Sequence, residues 1–231
     1  MVGRKNVETI IKHALGQCAH VILQSRIPSP SSQSSPSQPV GTDKWLNLEL
    51  PQTFLRDLQP FEQALLTTAK QVFINITMTH SQPILDTPQT VVMERWRISF
   101  DPAAAVEGAS EMTPELLHWH CSVLIRGLHS LMRAMPTQGV YSTVRKNTSA
   151  VSANQVKMGF FLSSSEEDSG FLLDQYQLLV LGRIPTAYGT FVVSCLYKAD
   201  LSRELALLSG DVLIRSQMIV HDYISPSVTG A

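Results

Sequence analysis

Two histidines, His118 and His120, flank Trp119 and carry the most evident potential for metal binding in the sequence. The surrounding residues have helical periodicity, and residues two apart on an α-helix point about 200° apart. The two imidazoles therefore cannot readily hold one ion. His118 and Cys121 would share a helix face, but two ligands rarely make a zinc site. We predict that this segment is a solvated or core-edge part of a helix and that the chain binds no metal.

Nucleophile and nucleotide-binding motifs are the other common sources of chemistry, and they do not occur. The sequence contains no GxxxxGK[ST], GxGxxG, GxSxG, HExxH or SxxK pattern. Its three cysteines, Cys18, Cys121 and Cys195, lie far apart and form no CxxC pair, so neither a disulfide framework nor a zinc site is indicated. A reducing compartment fits such cysteines. We predict a protein that is not an enzyme and uses no cofactor.

A charged pair interrupts an apolar, strand-like segment at Glu94 and Arg95. Alternation places Glu94 with Trp96 on the side expected to be buried, and it places Arg95 with Arg97 on the polar side. A buried carboxylate needs a partner. One interpretation is a salt bridge that fixes the sheet to a helix. The other is a basic site for a phosphate, with the Arg95 guanidinium as the fork that binds it.

An acidic run, Glu166 to Asp168, follows the serines Ser163, Ser164 and Ser165. Such a run could serve metal binding or acid–base chemistry, but beside serines and a glycine it is more typical of a solvated loop tip. The acidic residues also make the three serines candidate targets for an acid-directed kinase.

The elements that would position these residues follow from periodicity and breakers. Apolar spacing predicts helices over 7–25 and 114–135, the second with Thr113 as N-cap, and an irregular helix over 53–70. Residues 28–43 are rich in Ser and Pro and predict a flexible loop within the domain. Alternation predicts strands over 44–50, 72–79, 91–100, 139–145, 155–162 and 189–199, and residues 212–224 are expected to form a strand or mixed structure.

This element order predicts an α+β fold in which helices cover one face of a mainly antiparallel sheet. The 231 residues suit a single domain, 1–231, with 225–231 as a tail. The net charge of −1 argues against a nucleic-acid partner, and no apolar run is long enough to span a membrane. A cytoplasmic location is expected.

Six segments, in order, resemble the family of autophagy-related protein 13 over about residues 7–226. They are HVILQSRI, KWLNL, VMERWRISF, LIRGLHSLMRAMPT, RIPTAYGTFVVSCLYKADL and MIVHDYISPS. The resemblance implies a HORMA fold, with about three main helices on a β-sheet and a C-terminal closing segment. It also implies a non-catalytic regulatory subunit of the kinase complex that initiates autophagy, acting at the phagophore assembly site.

The resemblance further implies partners and a site. The expected partners are a second HORMA protein of the autophagy-related protein 101 type, and either autophagy-related protein 9 vesicles or a lipid-kinase complex. The kinase and scaffold would bind a tail that this chain lacks. A basic pair that senses phosphate in the family maps onto Arg95 and Lys157, where lysine replaces the family's second arginine and offers a point charge instead of a fork.

Two alternatives to this adaptor stay open from the sequence. One is a HORMA adaptor of the checkpoint or meiotic type, whose C-terminal segment closes over a partner peptide. The other is a small enzyme with an anion pocket at Arg95 and Arg97, which would need a nucleophile or an acid–base pair that the sequence does not offer.

Overall fold

The computed structural model describes residues 4–27, 56, 58–60, 71–81, 88–105, 112–146, 156–165 and 175–209. Several predicted segments lie outside these residues: the loop at 28–43, the strand at 44–50, most of the helix at 53–70, the strand or mixed structure at 212–224 and the tail at 225–231.

Two long helices form as the apolar spacing predicts. Helix α1 spans Arg4–Gln24 and helix α2 spans Pro114–Ala134, each 21 residues long. The Thr113 side chain accepts a hydrogen bond from the Leu116 amide, and proline occupies the first turn, so the start of α2 is capped as expected. The helix ends before Pro136, which cannot continue it. Both helix predictions are confirmed.

Five strands form one sheet in which every neighbouring pair is antiparallel. The strands are β1 (Gln71–His80), β2 (Gln89–Asp101), β3 (Val156–Ser163), β4 (Tyr176–Thr186) and β5 (Gly189–Lys198). Their order across the sheet is β3-β1-β2-β5-β4. The predicted strands at 72–79, 91–100, 155–162 and 189–199 are confirmed, whereas β4 was not predicted.

The core lies between the helices and one face of the sheet. Strand β2 contributes the fully buried side chains of Trp96 and Ile98 to this core, and β5 contributes those of Phe191 and Val193. Helix α1 contributes a long buried stripe that includes Leu15. This arrangement is the predicted α+β fold, because the alternating apolar residues of the strands supply one wall and the helical stripes supply the other.

Residues 137–146 form a helix, α3 (Thr137–Lys146), so the prediction of a strand at 139–145 is wrong. Val140 and Val144 lie one turn apart on this helix and pack into a second apolar cluster. The cluster also contains Leu201, which precedes a helix that was not predicted, α4 (Ser202–Ser209). The β-branched residues of this segment favour a strand, but burial against α4 and the sheet stabilises the helix instead.

The β4–β5 hairpin turns tightly at Gly189, whose φ is 147°. A Cβ at this position would lie 2.6 Å from the Asp101 carbonyl oxygen, closer than real Cβ atoms come. The Thr186 hydroxyl donates to the Gly189 carbonyl across 2.7 Å and closes the turn. Only glycine suits both the backbone conformation and the close approach.

Candidate functional site

A buried ion pair joins Glu94 of β2 to Arg26, which follows α1. Arg26 Nη2 lies 2.9 Å from Glu94 Oε1, and both side chains are 0% exposed. Arg26 Nε donates to both carboxylate oxygens, at 3.0 and 3.1 Å. The Trp96 indole N–H donates to Glu94 Oε2 across 2.9 Å. N–H donors therefore replace the water that the carboxylate has lost.

The rest of the Arg26 guanidinium is occupied by two other elements. Nη2 donates to the Met132 carbonyl at the end of α2 across 2.9 Å. Nη1 donates to Gln138 Oε1 of α3 across 3.0 Å and to the Ser25 carbonyl across 3.1 Å. One side chain thus fixes α1, α2, α3 and β2 to each other. The salt-bridge interpretation of Glu94 is confirmed, but its partner lies 68 residues away and has no signal in the local sequence.

Arg95 lies on the opposite face of the sheet and is buried, with 4% of its surface exposed. Its guanidinium carbon lies 4.1 Å from the centroid of the Phe73 ring, a cation–π distance. Arg95 Nη2 donates to the Ser165 carbonyl across 2.7 Å. The alternation of the sequence correctly places Arg95 on the face opposite the core. It does not predict that Arg95 is buried, because the side chain that covers it, Phe73, belongs to β1. Arg97, two residues further on the same face, is exposed as predicted.

Lys157, the second residue of the predicted basic pair, is exposed on β3. Strand pairing matches it with Thr79, whereas Arg95 pairs with Asn75, which itself pairs with Phe161. Lys157 and Arg95 therefore share a face of the sheet but lie four residues apart in register. That is roughly 13 Å along the strands, and about 10 Å further across them. The geometry does not bring the two cations to one point, and anion binding at these residues stays a prediction.

The histidines and cysteines considered for metal binding do not assemble into a ligand cluster in the part of the chain that the structure describes. Within the described residues, no group of three or more His, Cys, Asp or Glu side chains could hold a metal ion. All three cysteines are buried free thiols. Burial raises the pKa of Cys121 to about 11, and it also raises the pKa values of Cys18 and Cys195 well above their usual range. None of these thiols is a nucleophile near neutral pH, because the thiolate is the reactive form.

The outer side of α2 carries a feature that the sequence interpretation missed. Leu116, Trp119 and Val123, at spacings of three and four residues, are 43%, 58% and 47% exposed. We call these three residues the α2 apolar stripe. Beside it, a groove of about 740 Å³ opens between α1 and α2, with His13 on one wall and Arg126 on the other. The spacing of three and four residues is visible in the sequence, but it does not by itself show which side of the helix is left uncovered.

Among solved structures, the chain is similar to C. elegans HTP-2 bound to a HIM-3 closure motif, with a TM-score of 0.51 and 12% identity. That match covers 84% of this chain and 90% of the other. A structure described as the Atg13 HORMA domain matches with a TM-score of 0.47 and 16% identity, covering 85% of this chain and 94% of that one. The architecture, a five-stranded antiparallel sheet with helices on one face, is the HORMA fold.

The sequence comparisons identify the family within that fold. The family model described as Autophagy-related protein 13 matches residues 55–202. Autophagy-related protein 13a of Arabidopsis thaliana is 22% identical over 253 residues, which cover 99% of this chain and 40% of the relative. The chain belongs to the Autophagy-related protein 13 family. It spans about two fifths of the length of the curated relative that it matches.

Membership of this family connects the chain with autophagy. In the described part of the chain, no helix is long and apolar enough to cross a membrane.

Proposed function

We propose that this chain is a non-catalytic protein-interaction domain of the kinase complex that initiates autophagy. It would help to assemble that complex and recruit autophagy factors to the phagophore assembly site from the cytoplasm. Membership of the Autophagy-related protein 13 family supports this role. The buried thiols, the absence of a metal cluster among the described residues and the lack of nucleophile motifs support the non-catalytic part.

The α2 apolar stripe is the observation that carries the proposal. Leucine, tryptophan and valine side chains stand on the surface of a helix whose opposite side is core. Large apolar side chains clustered on a surface mark interaction sites, and tryptophan is enriched among the residues that dominate binding energy. The adjoining groove gives a partner side chain somewhere to insert. We propose that a second HORMA protein, of the autophagy-related protein 101 type, docks on this stripe.

Trp119→Ser tests the docking surface directly. The exposed indole contributes little to the fold, so the variant should unfold at nearly the wild-type denaturant concentration. Its affinity for the second HORMA protein should fall at least about tenfold, which is the loss of one buried anchor. Isothermal titration with the two purified domains measures this. Leu178→Ser is the matched control, because Leu178 is 67% exposed but lies on β4.

Binding that is lost in Leu178→Ser and retained in Trp119→Ser would move the interface to the edge of the sheet and contradict the proposal. It would favour the second candidate function, a HORMA adaptor that binds a partner peptide. The similarity to HTP-2, which is seen bound to a closure motif, is the observation behind that candidate. The kinase, the scaffold and autophagy-related protein 9 vesicles or a lipid-kinase complex remain proposed partners of the whole protein.

The predicted anion site at Arg95 and Lys157 remains a proposal with its own test. Arg95→Ala and Lys157→Ala should reduce partner binding more than stability if a partner's phosphate binds there. Because Arg95 is buried over Phe73 and holds the Ser165 carbonyl, a structural role would instead appear as a loss of melting temperature. Thermal melts and pull-downs on the two variants separate the two roles.

A further inference from the structure

The groove beside the α2 apolar stripe follows α2 along most of its length. The residues of α2 that line it begin at Glu115 in the first turn and continue to Ser130, which lies about 22 Å further along the helix axis. Helix α1 forms the opposite wall through His13 and Gln17, whose side chains share a hydrogen bond of 2.7 Å. The groove therefore has the length of one partner helix of about four turns.

The charged side chains of the groove are mostly of one kind. Among its described lining residues, one guanidinium and three imidazoles come from Arg126, His13, His118 and His129. One carboxylate, that of Glu115, lies at the start of α2. Hydrogen bonds to its own backbone amide and to Thr113 lower the pKa of Glu115, so this carboxylate is engaged in capping the helix.

The serine hydroxyls of the groove donate to their own helix. Ser122 Oγ donates to the His118 carbonyl across 2.9 Å, and Ser130 Oγ donates to the Arg126 carbonyl across 3.2 Å. The donors that face a partner are therefore the guanidinium and the imidazole N–H groups. A carboxylate accepts hydrogen bonds and donates none, and a guanidinium binds it with two parallel bonds, so an acidic side chain suits this lining.

The charge of the two long helices supports the same conclusion. They carry five cationic and two acidic side chains: Arg4, Lys5, Lys12, Arg126 and Arg133 against Glu8 and Glu115. Glu8 already pairs with Arg4 across 2.9 Å. The net charge of the whole chain is −1, so the excess of positive charge on these helices is local. Such a surface steers an acidic partner towards it.

We propose that the groove binds an acidic amphipathic helix of the partner protein. This inference rests on the docking surface proposed above and adds the chemistry of the partner to it. The stripe from Leu116 to Val123 lies in the first half of α2, whereas Arg126 and His129 lie in the second half. The apolar side chains of the partner helix therefore lie on the stripe, and its Asp or Glu side chains lie one or two turns further along, at Arg126 and His129.

A pair of synthetic peptides tests the charge preference on the unaltered protein. Both are amphipathic helices of about 18 residues with the same apolar side chains, and they differ in carrying either Glu or Lys at the turns that would meet Arg126. Fluorescence anisotropy with the whole 231-residue chain should show at least about tenfold tighter binding of the Glu peptide. That advantage should shrink several-fold between about 0.05 and 0.5 M NaCl. Equal affinities, or tighter binding of the Lys peptide, would overturn the proposal.

Arg126→Glu locates the preference in the groove. This variant should lose most of the advantage of the Glu peptide, because the substitution places a carboxylate opposite the acidic residues. Arg203→Glu is the matched control, since it makes the same change of charge at an exposed arginine of α4 and should keep the advantage. Thermal melts check that both variants are folded. An advantage that survives in a folded Arg126→Glu variant would show that the acidic residues bind elsewhere.

Titration of the second HORMA protein separates this inference from the docking proposal. Loss of its binding in both Trp119→Ser and Arg126→Glu would support the two together. Loss in Trp119→Ser alone would leave the docking surface in place and overturn the acidic contact. If the Glu peptide binds through Arg126 but neither variant weakens the second HORMA protein, the groove stands and the docking proposal fails. Binding to vesicles of phosphatidylserine and phosphatidylcholine, with neither peptide bound, would overturn the inference in favour of a lipid surface.

Discussion

A carboxylate removed from water keeps its charge only where cations and N–H donors replace the lost hydration. Arg26 and the Trp96 indole N–H replace the hydration of the Glu94 carboxylate. Glu94 and the Met132 carbonyl in turn replace the hydration of the Arg26 guanidinium. Each charge is held by groups from more than one element. The cost of removing either partner is therefore the cost of leaving the other charge buried alone, which exceeds the net stabilisation from the pair.

Glu94→Gln should destabilise the fold strongly. The amide is nearly the same size as the carboxylate but leaves the Arg26 guanidinium without a counter-charge at zero exposure. We expect a loss of about 3–5 kcal/mol in the free energy of unfolding, measured by urea denaturation. Arg97→Gln, three residues along the same strand and exposed, should change it by less than about 0.5 kcal/mol. Similar small changes in both variants would contradict the account of the pair.

His20 should make stability depend on pH on the acid side. It is buried, its Nε2 has no hydrogen-bond partner among the described residues, and burial lowers its pKa from 6.5 to about 4. The folded state therefore holds the neutral ring. This contribution is fully present above pH 6.5 and is lost as pH falls towards 4.

His20→Phe removes that titration and keeps an aromatic ring of similar size. The free energy of unfolding of the wild type, minus that of the variant, should be constant above pH 7. It should fall by about 2.4 kcal/mol between pH 7 and pH 4.5. Denaturant unfolding across this range measures both proteins, and every other titrating group cancels in the difference. Parallel curves would show that the folded state tolerates a charged ring.

The elements depend on local backbone requirements as well as on packing. The β4–β5 hairpin needs a left-handed residue at Gly189 and no Cβ there, since the Asp101 carbonyl oxygen and Pro102 Cα would lie 2.6 and 2.8 Å away. Gly139, by contrast, lies exposed in α3 with nothing within 4 Å of where its Cβ would be. The two glycines form a matched pair with opposite expectations.

Gly189→Ala should cost at least about 2 kcal/mol of stability, because the strained backbone and the contact with Asp101 cannot both relax. Gly139→Ala should gain up to about 1 kcal/mol, because alanine loses less conformational freedom in a helix than glycine does. Urea denaturation followed by circular dichroism measures both. A tolerated Gly189→Ala would mean that the hairpin shifts as a unit.

Elements with strong periodicity were predictable from the sequence, and elements decided by distant contacts were not. The stripe of α2 and the alternation around Trp96 gave the correct type and nearly the correct bounds. The helix at Thr137–Lys146 differs from the predicted strand because β-branched residues favour a strand locally, whereas packing of Val140 in the second apolar cluster stabilises the helix. The same distinction applies to the site. The buried charge of Glu94 predicts that a cationic partner exists, but only the fold shows that this partner is Arg26.

At the scale of the whole molecule, the sheet should not be uniformly stable. Strand β2 lies in the middle of the order β3-β1-β2-β5-β4, whereas β4 lies at one edge and exposes Leu178 and Val180. Backbone amides in the middle of the sheet are hydrogen-bonded under the buried core, so they open only with global unfolding.

Amide hydrogen exchange should follow that order. Amides of 94–98 in β2 should exchange at least about 100-fold more slowly than those of 176–180 in β4, since edge amides open by local fluctuations. Mass spectrometry of peptic peptides resolves the two segments. Equal protection of both would show that the β4 edge is covered in solution.

The Arg26–Glu94 pair has a practical consequence for where this domain can be cut. The family match begins at residue 55, and Glu94 lies within it, but Arg26 and the whole of α1 precede it. A fragment that starts at residue 55 would bury the Glu94 carboxylate in the core without the Arg26 guanidinium that neutralises it. It would also expose the side of α2 that α1 covers. The smallest unit that can fold independently therefore has to begin at or before α1, well ahead of the family match.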